Sequence, residues 1–376
     1  MKKVLVAMSG GVDSSAAVLL LKEKQFEVGG CTLRLWDPSD GAGYGQEDSA
    51  DPAAVRDAGS IAPSLGVSLT VLDQEDLFEE RVIEPFVKSY LSCRTPIPCI
   101  KCNRFMKFDS LINYADEQGF DYVATGHYAM IGLDSEGRKK LLKGRDQKKD
   151  QSYFLFELNQ ELLARLIFPV GEFLKSEIRE LLDNWNIHIA DKPESQEICF
   201  IPDGDYAGFI EGYCKNRKGP ISGQFKLMDR EGPVFYRDGT LLGRHKGLYR
   251  YTIGQRKGLG IAHSRPLYVL ELNKQDNSLI LGYKEDTFSG SLVAADINWI
   301  SGSAPEMPLK AEVKIRSNHR AAKAVITPAV IEKSGEGVRV EFLEPQSSVT
   351  PGQAAVFYQG EQVLGGGWIE RGFPVE

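Results

Sequence analysis

The 376-residue chain lacks any stretch approaching the roughly 18 to 20 uninterrupted apolar residues that a membrane span needs, so no membrane partner is expected. Cysteine is scarce, with six in the whole chain. That excludes a disulfide scaffold and fits a reducing compartment, the cytoplasm, where thiols are kept for chemistry or packing. An excess of positive charge is missing too. The formal net charge of -7 argues against a surface that binds polyanions everywhere. Internal repeats and low-complexity tracts are absent, which excludes a solenoid or a disordered array. The apolar run after Met1-Lys2-Lys3 meets Ser9-Gly10-Gly11 instead of a cleavage site, and reads as a first strand.

What is present is a soluble, globular composition, 42% hydrophobic and 26% charged, at a length that predicts two or three domains. Its basic residues cluster. Arg138, Lys139, Lys140, Lys143, Arg145, Lys148 and Lys149 face one acid, Asp146. A second run from Arg237 to Lys257 is interleaved with Tyr249 and Tyr251, and a third holds Lys314, Arg316, His319, Arg320 and Lys323. One such run is ordinarily a solvated face, but three on an acidic chain point to a phosphate-backbone partner.

The first half alternates short β-branched runs with helical patterns, the mark of a doubly wound parallel sheet. Strands are predicted over Val4–Met8, Gly30–Trp36, Ser68–Leu72 and Tyr122–Thr125. Helices are predicted over Ser14–Lys24, Pro52–Leu65, Glu79–Leu91, Asn103–Gln118 and Glu172–Trp185. After Cys199 the texture turns to Gly, Pro and aromatic residues. Short alternating segments such as Leu309–Arg316, Gly337–Phe342 and Ala354–Tyr358 then favour a small β-barrel or sandwich. The expected division is an α/β nucleotide-binding domain over 1–204, a small central domain over 205–290 and a C-terminal β-barrel over 291–376.

Ligands of open sheets gather at strand C-termini. Val4–Met8 runs into Ser9-Gly10-Gly11-Val12-Asp13-Ser14-Ser15 and then a helix, so backbone N–H groups converge where phosphate would sit. No Lys is present, so this is not a Walker loop. Asp13 reads equally as a helix cap or as a magnesium ligand through ATP. The motif resembles the loop of the ATP pyrophosphatase superfamily, whose members adenylate an oxygen to make it a leaving group.

Two further cysteine-bearing stretches stand out, Thr95-Pro96-Ile97-Pro98-Cys99-Ile100-Lys101-Cys102-Asn103 and Ser195–Ile201 around Cys199. Cys102 is expected just ahead of a helix, with Lys101 and Arg104 nearby to favour its thiolate. Cys31, Cys93 and Cys214 read as filling. With Ala124–Tyr128, Lys149–Phe154, His245–Leu259 and Pro351–Gly366, these stretches make the chain similar to the tRNA-specific 2-thiouridylases over all three domains.

The resemblance implies ATP, with Mg2+, held by Ala7, Met8, Ser9, Gly10, Gly11, Val12, Asp13 and Ser14, with Leu33 and Gly126 beside the adenosine. It implies adenylation of O2 of uridine 34 in the tRNA anticodon, of Lys, Glu and Gln acceptors. Cys199 would take sulfur as a persulfide from a cysteine desulfurase or relay protein, and Cys102 would resolve it, which requires Cα atoms within about 7 Å in a closed state. For tRNA contact it implies Ile97, Pro98, Cys99, His127, Lys149, Asp150, Gln151, Arg316, Ser317 and Gln353. A flipped-out base suits chemistry at C2.

The commoner family pattern has Thr-Pro-Asn-Pro-Asp ahead of the Cys, so Cys99 replaces a carboxylate. Cys99, Cys102 and Cys199 could then hold a [4Fe-4S] cluster instead of running a persulfide relay. Without a second Cys-Xaa-Xaa-Cys, zinc is not expected. The rivals are another adenylating synthetase, for guanylate or argininosuccinate, and an RNA-binding module with a vestigial loop.

Overall fold

The protein is described here from a computed structural model, which covers residues 1–36, 53–187, 189, 198–201, 203–215, 217, 219–332 and 334–375. Predicted features at Pro52 and at Ser195 to Glu197 lie outside the described residues.

The first strand, β1 (Lys3–Ala7), buries Val4, Leu5 and Val6 and passes through a tight loop into α1 (Val12–Glu23). Every residue of α1 from Ser14 to Leu21 is buried, as expected of a helix apolar on nearly all sides. β2 (Glu27–Arg34) follows, then α2 (Ala53–Ile61) and β3 (Leu69–Asp73). β2 begins earlier than predicted because Gly29 and Gly30 are not a boundary. They admit neighbours into the sheet surface: a Cβ would stand 2.7 Å from the Phe120 ring at Gly29 and 2.6 Å from Met8 Sδ at Gly30.

Two helices cross before β4 (Tyr122–Ala124). The first, α3 (residues 75–90), tolerates Pro85 because the turn Glu79–Ile83 widens to π geometry just before it. Proline has no N–H to give and its ring crowds the carbonyl four residues back, so a widened turn relieves both problems. The second, α4 (residues 98–117), opens on Pro98, a favoured first helical residue, and is π-helical over Cys102–Ser110. It starts five residues before the predicted Asn103, which places Cys99 and Cys102 inside the helix.

A hairpin, β5 (Ala129–Leu133) and β6 (Lys139–Lys143), precedes β7 (Leu166–Ile167). The parallel sheet has the order β3-β2-β1-β4-β7, which bears out the doubly wound expectation and adds a short fifth strand. Strand order reverses between β1 and β4, so a crevice opens at their C-terminal ends. α5 (Lys175–Asn184) closes this half, its entry fixed by the Leu174 N–H donating to Glu177 Oε2 at 2.7 Å.

The central region contains two helices that the sequence reading had not marked, α6 (Tyr206–Lys215) and α7 (Pro220–Met228). They pack on a small sheet of β8 (Gly232–Tyr236), β9 (Leu241–His245), β10 (Tyr268–Asn273) and β11 (Ser278–Gly282). Six antiparallel strands follow: β12 (Phe288–Trp299), β13 (Leu309–Lys314), β14 (Ala322–Ile331), β15 (Gly335–Ser347), β16 (Ala354–Gln359) and β17 (Gln362–Pro374). Their order is β12-β15-β14-β13-β16-β17, and β17 pairs back onto β12, so the sheet is a closed barrel around Leu292, Val313, Ile326, Val340, Phe357 and Ile369. The hairpin of the first half joins this barrel, with Leu141 opposite Val363 and Leu142 opposite Gln362. No helix among the described residues is long and apolar enough to cross a membrane.

Candidate active site

The loop Met8–Gly11 leaves β1 at the crevice. Gly10 adopts φ +72°, and a Cβ there would stand 2.3 Å from Asp57 Cβ, so only glycine satisfies both the turn and the close approach of α2. Gly11 caps α1 in an extended conformation with no side chain bonded across the cap, which leaves the first N–H groups of α1 aimed at the crevice. Ser9 N–H donates to Ser14 Oγ at 3.3 Å, and the Ser14 and Ser15 hydroxyls donate to Gly11 O. The end of β4 presses on this turn. A Cβ at Gly126 would come within 2.8 to 2.9 Å of Asp13 and Ser14, so Gly126 and the loop share one small space. Leu33 lies near the C-terminal end of β2, opposite Leu72 of β3.

Asp13 does not cap α1. Its carboxylate receives Lys175 Nζ at 2.7 and 2.8 Å and the Tyr128 hydroxyl at 2.8 Å. An unpaired carboxylate at this turn would repel a phosphate group, and the ion pair removes that repulsion. Lys175→Met is expected to raise the KM for ATP up to about fivefold, within the range of a partly exposed ion pair. Initial rates against ATP concentration check this, and an unchanged KM would contradict it.

The cysteines divide by exposure differently from the sequence reading: Cys99 and Cys199 are exposed, whereas Cys102 is buried like Cys31 and Cys214. Burial pushes the thiols of Cys31 up to about 12 and of Cys93 and Cys214 up to about 11, which keeps them protonated at neutral pH. Cys102 is buried as well, and burial pushes its thiol up to about 12. It does not stand ahead of the helix, and Lys101 and Arg104 do not serve it. Lys101 Nζ is bound to Glu157 at 2.7 Å, and Arg104 faces Asp109 at 3.4 Å, because α4 turns both away from the thiol face. Cys99, in the first turn of α4, is the thiol best placed for the helix N-terminus. Cys99 and Cys199 are exposed as residues, yet they are crowded by enough protein that desolvation is the largest influence on both thiols and raises them.

The cation that acts on all three is Lys107, which sequence reasoning missed. Its charge opposes the upward push on Cys99, Cys102 and Cys199. It also helps burial hold His127 well below the usual histidine range, so that His127 is neutral. Lys107 lies five residues after Cys102. In an ordinary helix that spacing falls on another face, whereas the i→i+5 bonding of the stretch Cys102–Ser110 brings the two residues above one another. Cys99 raises Cys199 electrostatically, and both raise Cys102, so the three thiols feel one another's charge. Among the described residues no three His, Cys, Asp or Glu side chains meet at metal-ligand spacing. As arranged here, the three thiols therefore do not fit a [4Fe-4S] cluster.

His127 follows Gly126 and is buried between Phe108 and Phe168, with Nδ1 2.7 Å from Thr125 Oγ1. The next residue ties two predicted regions together. The Tyr128 hydroxyl reaches Asp13, while its backbone exchanges bonds with Gln151, N–H to Oε1 and O from N–H, both at 2.9 Å. Asp150 is buried under Gly144 N–H, Ser152 N–H and the Ser152 hydroxyl, with Lys314 Nζ at 3.9 Å. Arg316, half-buried, adjoins Tyr153, with Ser317 beside it on the loop after β13. Lys149 precedes this cluster. Ile97 and Pro98 lead into α4, and Gln353 donates to Thr95 O at 3.0 Å.

The basic runs are partly neutralised. Arg138 pairs with Asp134, Arg145 with Glu177, Arg237 with Asp286 and Arg250 with Glu211. The third run meets the first where Lys314 reaches Asp150, and Gln151 links that segment to Tyr128 at the crevice.

Three family models match the chain: a tRNA methyl transferase HUP domain over residues 2–203, a tRNA methyl transferase PRC-barrel domain over 224–283 and an aminomethyltransferase beta-barrel domain over 289–369. The chain is 46% identical to the tRNA-specific 2-thiouridylase MnmA of Syntrophotalea carbinolica, covering 98% of each sequence. It is 45% identical to that of Carboxydothermus hydrogenoformans, again covering 98% of each, and 44% identical to that of Solibacter usitatus, covering 98% of this chain and 99% of the relative.

Proposed function

Because the chain belongs to the tRNA-specific 2-thiouridylase family, we propose that it makes 2-thiouridine in tRNA by adenylating O2 of the wobble uridine and replacing it with sulfur carried on Cys199. The observation that carries this reading is one continuous site. Gly126 packs on the nucleotide loop, its neighbour His127 lies under the charge of Lys107, and Lys107 acts on all three thiols of the cysteine cluster.

O2 of the uridine attacks the α-phosphorus of ATP, an O–P bond forms and diphosphate leaves. The N-terminal amides of α1 and Ser9 hold the phosphates, and Lys175 keeps Asp13 neutralised beside them. Mg2+ enters with the triphosphate. Asp13 is committed to Lys175 and Tyr128, so no protein ligand to the ion is assigned.

Cys199 is exposed, as an acceptor visited by a sulfur-donor protein must be. Its persulfide then delivers sulfur to C2 and AMP leaves. Either the Cys102 thiolate first attacks the inner sulfur and releases hydrosulfide, which adds to C2, or the terminal sulfur adds directly and Cys102 closes a disulfide onto Cys199. Both routes leave a Cys102–Cys199 disulfide that an external thiol must reduce. Lysines and arginines around Lys149 and Arg316 hold the anticodon backbone, and the base reaches the crevice past Ile97, Pro98 and His127.

The test is incubation of unmodified tRNA with the enzyme, ATP and a persulfide donor, followed by nucleoside mass analysis. The expected product is one oxygen-to-sulfur exchange at the wobble uridine with AMP formed in step, and its absence sinks the reading. Cys99→Asp is expected to keep activity within about threefold, since a carboxylate is welcome in the first turn of α4. Loss of activity in that variant would mean that the thiol at 99 takes part directly.

A further inference from the structure

The loop that leads into α4 is bonded to both other domains, with Gln224 of α7 donating to Leu91 O at 3.1 Å and the densest contacts at Arg94 and Thr95. Residues 91–97 connect α3 to α4, and Arg94 sits at their centre. Its guanidinium grips Glu370 of β17 through two parallel bonds of 2.8 and 2.9 Å and donates to Ile369 O at 3.0 Å. Bidentate, part-buried pairs of this kind fix geometry as well as contribute energy. Thr95 continues the contact. Its N–H donates to Pro351 O at 2.9 Å, its carbonyl accepts from Gln353 at 3.0 Å, and its hydroxyl donates to Thr252 of the central domain at 3.2 Å. Gly352 lies flush against Arg94 and Thr95, where a Cβ would meet three atoms at 3.0 Å. The same barrel turn leads into β16, whose Ala354 carbonyl accepts from the Tyr153 hydroxyl, beside the segment Lys149–Gln151.

We infer that Arg94 and Glu370 are a positioning pair: through them the barrel that holds the RNA sets the height and rotation of α4, and so the approach of Cys102 to Cys199 and the base. The inference rests on the sulfur-transfer reading above. The pair touches neither substrate nor thiol, and its effect falls on the chemical step more than on binding of ATP.

The test uses the full-length protein with tRNA, ATP and a persulfide donor. Arg94→Met and Glu370→Gln are each expected to lower kcat for thiolation about tenfold, as small misplacements of reacting groups do, while the KM for ATP stays put. Arg94→Lys, which keeps the charge, recovers part of the loss. Cys102, buried in the parent, becomes faster to alkylate with iodoacetamide in Arg94→Met and Glu370→Gln, a readout that does not need activity. An unchanged kcat with unchanged Cys102 alkylation overturns the inference, and so does a loss confined to the KM for tRNA. If Arg94→Met fails to fold, the near-isosteric Glu370→Gln carries the same comparison. A parent that thiolates no tRNA, yet shows the alkylation difference, would sink the functional reading and leave the positioning pair standing.

Discussion

Replacing Cys199 with serine is expected to reduce persulfide-driven thiolation by roughly 10⁴-fold, the scale on which enzymes lose activity when a covalent nucleophile is removed. A serine hydroxyl cannot carry sulfane sulfur, and the resolving thiol cannot take over. Cys102 is buried, and its thiol is held up at about 12, so a donor protein can neither reach it nor find it as a thiolate. The assay is nucleoside mass analysis of tRNA after reaction with a persulfide donor, paired with peptide mass analysis that locates sulfur on the peptide bearing Cys199. A serine variant that thiolates at the parental rate would remove Cys199 from the mechanism. With free sulfide in excess the same variant should regain part of its activity, because adenylation at the Ser9–Ser15 loop does not need the acceptor thiol.

On the proposed mechanism, the asymmetry between an exposed Cys199 and a buried Cys102 is a division of labour. The acceptor must meet an outside protein, whereas the resolving thiol should meet nothing but the persulfide. Burial keeps Cys102 protonated and unreactive until the charge around it changes. The chemistry therefore depends on what supplies positive charge at the thiols, and that was the part of the site least visible in the sequence.

The turn between β1 and α1 was legible because its determinants are local. A Val-rich strand, two glycines and an apolar helix within some twenty residues fix the turn, and Gly10 at φ +72° against Asp57 shows why no other residue serves. The parallel sheet and the closed barrel followed from periodicity in the same way. The hairpin β5–β6 was read only as a basic run, because its partner in the sheet, Val363, lies more than two hundred residues downstream and leaves no local trace. Arg94 and Glu370 escaped for the same reason. The placing of Lys101 and Arg104 beside Cys102 failed because it assumed that neighbours in sequence share a face, and the helix sends them to Glu157 and Asp109 instead. Lys107 was hidden by the opposite effect. A five-residue separation is off-face in a regular helix, and only the π-helical widening from Cys102 to Ser110 reverses that.

Lys107→Met is accordingly expected to lower thiolation at neutral pH about 10- to 100-fold and to move the rising limb of the pH–rate profile to higher pH. The sign follows from the charges. Burial raises all three thiols and disfavours the thiolate, and Lys107 is the cation that opposes it. Removing that charge raises the thiols further, so less thiolate exists at neutral pH and activity returns only as pH increases. Methionine keeps the length and most of the packing of the lysine stem, which separates charge from shape. Lys107→Arg keeps the charge and should hold the profile near that of the parent. His127 supplies an internal control. The charge of Lys107 helps keep it neutral, so Lys107→Met should let its ring titrate at a higher pH, a change visible by NMR in the imidazole resonance without any turnover. Parallel movement of the pH–rate profile and the imidazole titration would identify one electrostatic centre shared by the thiols and the base pocket. A methionine variant whose profile and imidazole titration both match the parent would show that Lys107 does not act on the site.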